Sequence, residues 1–545
     1  MKKFLYNSMV LVAAIVMCSN IVSCSNDVLE PEDHQNNENT EIEVTKEQTL
    51  FSSGNDTRTS LNANRNFFWS ESDQIYVNTT GSTYQKTSSS TLAEDKRTAS
   101  FLLEGVSLKE DKCSVMYIGN GTNTATTTAD DMKVTIKSSQ TQSEWDNGDH
   151  VGPSGDCGLD IAERKGNETS NKYAFKLNHK AAYLILQPYK IADVTKKWTL
   201  MKIEIITDGT TSVAGTYPFG TGELDVDNAT KTSNMVTLTC GTAGFDLDFY
   251  PEPPVARKSC FAVIQPGTHT ITIRYTIKPE VSVNKNVGGT FTIEKTIPSR
   301  TYNIGGATKI GHKLGVESYS TDLFYTWDAV NPYWYGVAPE NIPNIMGASH
   351  DDYPTNGDER NRWYNNSIVV DGKYTTQYSC KGLPNINAMS WYITYGDPRW
   401  ERSYPWFYKG NGGSHVYTYG AWLLKWDNIP GKPDGDKVNC PYDTGGVDRR
   451  LTSSANKEYS TSSSQYKTGG RPSATEIDNY FFLPAMGHID NGLMAATIHG
   501  CYWTASCERY SRIHLFIFSS REMYTNYNNT LQRDGGRIAA PDWFK

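Results

Sequence analysis

Thr270-Ile271-Thr272-Ile273-Arg274-Tyr275-Thr276-Ile277 carries an apolar side chain at every second position. Successive side chains of an extended strand point to opposite faces, so Ile271, Ile273, Tyr275 and Ile277 define a buried face and the residues between them a wetter one. Similar short runs lie on either side: Gln74-Ile75-Tyr76-Val77, Cys113-Ser114-Val115-Met116-Tyr117-Ile118, Tyr183-Leu184-Ile185-Leu186 and Lys202-Ile203-Glu204-Ile205-Ile206. Turn residues punctuate them at sandwich-like intervals, and no stretch of helical period competes. The pattern predicts a mainly β chain with two tandem β-sandwiches, at 48–165 and 166–315, divided at the polar stretch Arg164-Lys165-Gly166-Asn167-Glu168.

Past residue 316 the composition changes. Ten of the thirteen tryptophans and twenty-two of the thirty-three tyrosines fall in 316–545, in turn-rich sequence with few long apolar runs. A third unit with a core of large rings is expected there. A chain of 545 residues has room for about three domains of ordinary size. Its net charge of −8, without a basic cluster, argues against nucleic acid as a partner.

At the amino terminus Lys2 and Lys3 precede the apolar run Val10 to Met17, too short to cross a bilayer, and then Ile21-Val22-Ser23-Cys24. This predicts a lipoprotein signal peptide at 1–23, with Cys24 as the lipidated residue and a lipid anchor on a membrane. From Cys24 to Glu47 there are eight acidic residues and one lysine, Lys46, a composition that cannot bury a core and reads as an acidic tether over 24–47. Of the remaining cysteines, Cys113, Cys157, Cys240 and Cys260 lie in the first half and Cys380, Cys440, Cys501 and Cys507 in the second. Both disulfides and buried thiols are open to each set, four cysteines allow three pairings, and Cys501 with Cys507 is the closest-spaced pair.

Thr57-Arg58-Thr59-Ser60-Leu61 and Phe68-Trp69-Ser70-Glu71-Ser72-Asp73-Gln74-Ile75-Tyr76-Val77 resemble the opening of the Bacteroidetes fimbrillin-like family. Phe175-Lys176-Leu177-Asn178-His179-Lys180-Ala181-Ala182, Ile264-Gln265-Pro266-Gly267 and Arg300-Thr301-Tyr302-Asn303-Ile304 continue the likeness, which spans roughly 48–315. The resemblance implies two transthyretin-like sandwiches in a fimbrial subunit exported as a lipoprotein. Acidic residues after the lipidated cysteine resemble a surface-export signal, which implies an outer-membrane, cell-surface location before assembly. The family's proteolysis after an arginine removes a strand, and a strand of another subunit fills the groove. Here Glu41-Ile42-Glu43-Val44-Thr45-Lys46 through Leu50-Phe51 is the matching strand, and Arg58 the arginine at which processing is expected.

Phe481-Phe482-Leu483-Pro484-Ala485-Met486-Gly487, Gly500-Cys501-Tyr502-Trp503-Thr504-Ala505-Ser506 and Asp534-Gly535-Gly536-Arg537-Ile538-Ala539 resemble the major paralogous domain first described in Fibrobacter. Thr504 stands where that family commonly has serine. The resemblance implies an α+β, C-type-lectin-like fold over 316–545, in which loops carry recognition.

For glycan or protein recognition the candidates are Trp391, Trp400, Trp406, Tyr408, Tyr417 and Trp422, with Asp397, Arg399 and Asp427 as polar partners. Aromatic faces stack on sugar rings and carboxylates accept from hydroxyls, while the same rings equally suit a helix-poor core. The calcium-lectin triplets are missing, Trp426-Asp427-Asn428 runs in reversed order, and Asp434-Gly435-Asp436 reads as a turn. No metal, cofactor or catalytic residue is expected, and the chain reads as a binding protein rather than an enzyme.

Only Pro541-Asp542-Trp543-Phe544-Lys545 follow the closing element of the last resemblance, so the subunit is expected to accept a strand rather than give one. That polarity predicts a tip adhesin that meets a host or bacterial glycan or protein. The alternative is a non-fimbrial surface lipoprotein that captures glycans for nutrient uptake.

Overall fold

The computed structural model describes residues 47–54, 60–62, 64, 67–119, 124–248, 257–280, 289–366, 368–370, 372–451, 457–461, 465–468, 470–473, 475–495, 498–508, 512–526 and 533–544. The predicted signal peptide, Cys24, the acidic tether short of Glu47 and Arg58 lie outside these residues. The protein is mainly β, and one α-helix, Ile386–Tyr395, occurs among the described residues.

A ten-stranded sheet forms the first part. Its order runs Ser89–Leu92, Ala99–Glu104, Gln48–Ser53, Lys172–Phe175, Gly158–Arg164, Lys112–Tyr117, Tyr76–Thr80, Thr83–Lys86, Thr126–Thr128, with Asn178–His179 beside Gly158–Arg164. Phe51, Trp69, Val77, Phe101, Val115, Tyr117 and Phe175 pack a core on one face. The stretch expected to divide two sandwiches instead forms a hairpin turn. Glu163 pairs with Ala174 and Arg164 with Tyr173, and Lys165 N–H donates to the Lys172 carbonyl at 2.7 Å. The first sheet therefore runs on to Phe175, past the boundary predicted at residue 165, because the polar residues there satisfy a turn and not a linker.

The chain also interleaves where a simple succession of units was expected. Lys133–Ile136 joins Ala214–Pro218 and Thr230–Ser233 in a three-stranded sheet, and Ser139–Gln142 is the edge of a six-stranded sheet. From that edge the order is Met235–Cys240, Trp198–Thr207, Gly267–Pro279 and Phe291–Tyr302, with Phe245–Asp246 beside Trp198–Thr207. Ile271, Ile273, Tyr275 and Ile277 are all fully buried in it. Enclosing each isoleucine contributes about 1.5–3 kcal/mol, so the alternation at 270–277 is what anchors this sheet. A further three-stranded sheet, ordered Cys260–Ile264, Ala182–Lys190, Ala307–Leu314, supplies the other layer of the same core. Its middle strand is buried at every position, as a strand covered on both faces must be.

The two layers meet at a side-chain seam. Gln142 accepts from Phe261 N–H at 2.8 Å and donates to the Ser259 carbonyl at 3.0 Å, and Gln140 accepts from Val263 N–H at 3.0 Å and donates to its carbonyl at 2.7 Å. Two glutamine amides thus stand in for a strand backbone along the free edge of Cys260–Ile264, leaving its buried polar groups satisfied.

Beyond Leu314 the core changes to one built around Phe324, Trp327, Trp334, Trp400, Trp406, Tyr502 and Trp503. A five-stranded sheet (Phe324–Tyr325, Arg537–Ile538, Gly500–Glu508, Arg512–Phe518, Met523–Asn526) and a four-stranded one (Lys467–Thr468, Arg399–Glu401, Gly420–Leu424, Tyr480–Pro484) frame it. The helix is capped by the Asn385 side chain, which accepts from Ala388 N–H at 2.9 Å. The loop at Gly412-Gly413 docks on the second core: Trp198 Nε1 donates to the Gly413 carbonyl at 2.8 Å and Lys196 N–H to that of Gly412 at 3.0 Å. Both glycines have positive φ, and a Cβ at Gly412 would lie 2.1 Å from Thr195 Oγ1, so a side chain there would break the contact.

Candidate functional site

Gln48–Ser53 begins the described fold and lies well inside its sheet. It pairs antiparallel with Ala99–Glu104, from Gln48↔Glu104 to Ser52↔Ser100, and parallel with Lys172–Phe175, from Leu50↔Lys172 to Ser53↔Phe175. Thr49, Leu50, Phe51 and Ser53 are buried, and the Phe51 ring stacks on Tyr173 with centroids 5.3 Å apart. Ser53 Oγ accepts from Trp69 Nε1 at 2.9 Å and from Ala99 N–H at 2.8 Å, and Thr49 Oγ1 donates to the Val106 carbonyl at 2.8 Å. Half of the strand expected to be removable, Glu41–Lys46, lies outside the described residues, as does the cleavage residue Arg58.

The recognition residues proposed from sequence do not form one face. Asp397, Arg399, Trp400 and Trp422 lie on or beside the four-stranded sheet, whereas Trp406 and Tyr417 pair with each other elsewhere and Tyr408 packs against both. Trp406 is fully buried, stacked on Tyr417 at 4.7 Å with its Nε1 donating to the Tyr419 carbonyl at 3.0 Å. Tyr408 is buried with its hydroxyl donating to the Met486 carbonyl, and Trp400 stacks on Tyr419. Trp422 is closed in by Tyr404 and Phe482. For Trp400, Trp406, Tyr408, Tyr417 and Trp422 this corrects the sequence reading: their faces are taken by protein, so they are core rings and offer no surface to a ligand.

Asp397 is likewise engaged internally. It adopts φ +44° and accepts from Arg399 Nη2 at 2.7 Å, Tyr480 OH at 2.7 Å and Lys467 Nζ at 2.5 Å. Burial pushes its carboxyl up, and the hydrogen bonds from Lys467, Tyr480 and Arg399 outweigh that and hold it below the ordinary carboxylate range. Asp427 is open to solvent, its side chain 94% exposed.

Trp391 is also buried in this core, which corrects its reading as a ligand-binding ring, but it borders exposed residues. On the helix, its ring lies 5.5 Å from that of Tyr395, which is 48% exposed, and its Nε1 donates to the carbonyl of Tyr442, itself 40% exposed, at 3.1 Å. Tyr395 and Tyr442 were not singled out from sequence. The helical spacing of Tyr395 from Trp391 was the available signal, since residues four apart share a helix face.

Cys501 and Cys507 are corrected as well. Both lie on the single strand Gly500–Glu508, are not joined, and are separated by six residues, about 20 Å of extended chain before the local bulge. A disulfide needs Cα atoms within about 7 Å. Burial pushes the Cys501 thiol up to about 11. Among the described residues no cluster of His, Cys, Asp and Glu suits a metal ion, and no helix is long and apolar enough to cross a membrane.

The loops of the last unit are tied by ion pairs with a consequence for pH. The buried Arg362 guanidinium contacts Asp358 at 2.6 Å and Asp352 at 2.9 Å, and Arg360 Nη1 donates to Asp352 at 2.8 Å. The hydrogen bond from Arg360, against some burial and with help from Arg362, holds the Asp352 carboxyl down to about 2. Its folded value lies below the unfolded value of about 4, so the stabilisation is complete above about pH 4 and is lost as pH falls through 2. Melting temperature is expected to fall over that window, and Asp352→Asn to flatten the fall; an unchanged acid profile in the variant would assign the dependence elsewhere.

No family model matches the chain, and no curated protein matches it. Solved structures do. One is a Bacteroides ovatus protein named for cell adhesion, at 14% identity over 48% of this chain and 92% of that one, with a TM-score of 0.29. Another is a fimbrial assembly protein of Parabacteroides distasonis, at 11% identity over 49% and 91%, with a TM-score of 0.24. A fimbrial protein of Bacteroides ovatus is similar at 10% identity over 91% of this chain and 98% of that one, with a TM-score of 0.21. The chain is thus similar, at low identity, to cell-adhesion and fimbrial proteins of Bacteroides and Parabacteroides.

Proposed function

We propose that this protein is a cell-surface fimbrial subunit that takes a partner subunit's strand in place of Gln48–Ser53 and presents its last unit, 316–545, to a glycan or protein ligand. The observation that carries this reading is the placement of the first strand. It is short, lies at the start of the described fold, and fills a slot between an antiparallel and a parallel neighbour. Removing it leaves two facing strand edges with apolar pockets for alternate side chains, the geometry that strand complementation uses. Arg58 follows it by five residues and is the expected point of cleavage.

In this reading Cys24 carries the lipid that holds the protein at the outer membrane until assembly. The fold of the last unit is C-type-lectin-like, and the protein binds rather than catalyses. Residues Arg537–Phe544 are engaged in that unit's own core, through Ile538 and Phe544, which suits a subunit at the filament tip. Immunogold labelling with antibody to 316–545 is expected to mark filament ends. Label spread evenly over the cell body would sink the tip placement.

Ligand contact is assigned to the exposed ring of Tyr395, which packs on Trp391, and that of Tyr442, whose carbonyl accepts from the Trp391 indole. Each stacked ring contributes about 1 kcal/mol, so Tyr395→Ala with Tyr442→Ala is expected to weaken glycan-array binding roughly tenfold or more. Both side chains are exposed, so melting temperature should hardly move. Unchanged array binding would place the ligand elsewhere.

The same first strand favours a second reading if it is retained. A ten-stranded sheet that keeps its first strand, on an acylated chain, is a spacer for a surface lipoprotein that captures glycans.

A further inference from the structure

We propose that Cys240 and Cys260 form a disulfide in the exported protein, a covalent staple between the two layers of the second core. Cys240 ends the strand Met235–Cys240 of the six-stranded sheet, and Cys260 opens the strand Cys260–Ile264 at the edge of the three-stranded one. Both are fully buried in one core, as free thiols in this structure, and the neighbouring Cys240 thiol adds to burial in pushing the Cys260 thiol up.

An independent set of contacts fixes the approach. Gln142 is the cross-strand partner of Cys240, and its amide grips Ser259 and Phe261, the residues on either side of Cys260. One glutamine side chain thus runs from the backbone paired with Cys240 to the backbone on either side of Cys260. The other two cysteines of this half are placed differently. Cys113 belongs to the core of the first sheet, and Cys157 shares the second core but sits beside Asp156 and Lys180, its carbonyl accepting from Lys180 N–H at 2.8 Å. Of the six pairs that four cysteines offer, Cys240 with Cys260 is the one whose strands the Gln142 amide ties together.

The chemistry is thiol–disulfide exchange. One thiolate attacks an oxidant that itself carries a disulfide, giving a mixed disulfide, and the second thiolate displaces the oxidant's thiol. One Sγ–Sγ bond forms, two S–H bonds are lost, and the two electrons and two protons end on the oxidant as a dithiol. Neither thiol is accessible in the folded chain, so the bond forms as the layers close and resists reductants afterwards. The inference rests on the reading of the chain as exported, because a cytosolic chain stays reduced.

Two measurements on the full chain separate the inference from that reading. Protein from washed outer membranes is denatured in an alkylating agent without reductant, digested and mapped by mass spectrometry. Full chain refolded in a glutathione redox buffer is mapped in the same way. The expected result is a linked pair of peptides carrying Cys240 and Cys260, lighter by two hydrogens than the sum of the free peptides, in both samples. Alkylated Cys240 and Cys260 in outer-membrane protein would overturn the inference while leaving export intact. If no protein reaches the membrane, the export reading fails and the refolded sample decides: a linked pair supports the pairing, and alkylated or differently paired thiols overturn it. The link closes a loop of about twenty residues, so Cys240→Ser with Cys260→Ser is expected to lower the melting temperature by about 5–10 °C. An unchanged melting temperature would count against it.

Discussion

Cleaving the chain after Arg58 and stripping away the released segment is expected to destabilise the first sheet, and a peptide of residues 47–54 supplied in trans is expected to restore it. Leu50 and Phe51 leave the core with the strand, and deleting a buried phenylalanine side chain alone costs about 3–5 kcal/mol. Ala99–Glu104 and Lys172–Phe175 each lose a ladder of main-chain hydrogen bonds, and every buried group left unpaired costs about 1–3 kcal/mol more. That sum is comparable with the whole stability of an ordinary domain. Amide hydrogen exchange in those two strands reads the result directly. Protection should collapse on stripping and return with the peptide. Protection that survives stripping would mean that the sheet closes by itself and offers no slot.

The second large effect is mechanical. The chain enters the three-stranded sheet at Ala182 and leaves it at Leu314, and Ala182–Lys190 and Ala307–Leu314 run parallel, paired from Tyr183↔Ala307 to Lys190↔Leu314. Tension between the first sheet and the last unit therefore pulls these strands past each other along their length, loading all the rungs together. The hairpin Gly267–Pro279 with Phe291–Tyr302 offers the opposite geometry, because Gly267 and Tyr302 are paired at its open end and pulling them apart breaks rungs one by one. In an optical trap, handles at residues 180 and 316 should require several-fold more force for rupture than handles at 267 and 302, at equal loading rate. Equal forces would show that the parallel ladder bears no special load. A subunit that tethers a cell through its last unit would experience the first geometry.

The layers of the second core were readable because their apolar residues follow the strand period or fill it completely: 270–277 alternates, and Tyr183-Leu184-Ile185-Leu186 is apolar throughout. Ser139-Gln140-Thr141-Gln142 escaped notice for the opposite reason. Its buried residues are glutamines, which earn burial through four hydrogen bonds to another strand's edge, and no hydropathy pattern encodes a partner 120 residues away. The concentration of rings past residue 316 was legible, but not which ring is exposed. Trp406 and Trp391 are both buried, and the open rings are tyrosines: Tyr395, which packs on Trp391, and Tyr442, whose carbonyl accepts from the Trp391 indole. The short spacing of Cys501 and Cys507 made them the closest candidate pair, and one continuous strand uses the same spacing to hold them apart. The polar residues 164–168 carry the same turn chemistry whether they join two domains or two strands of one sheet.

The central claim is that the first strand is exchanged for a partner's. It is tested most directly by the amino-terminal residue of the protein found in filaments sheared from intact cells. Strand exchange predicts Thr59 as that residue, with the segment through Arg58 absent from the filament fraction. Cys24 still acylated on protein recovered from the filaments, with Gln48–Ser53 in place, would contradict it.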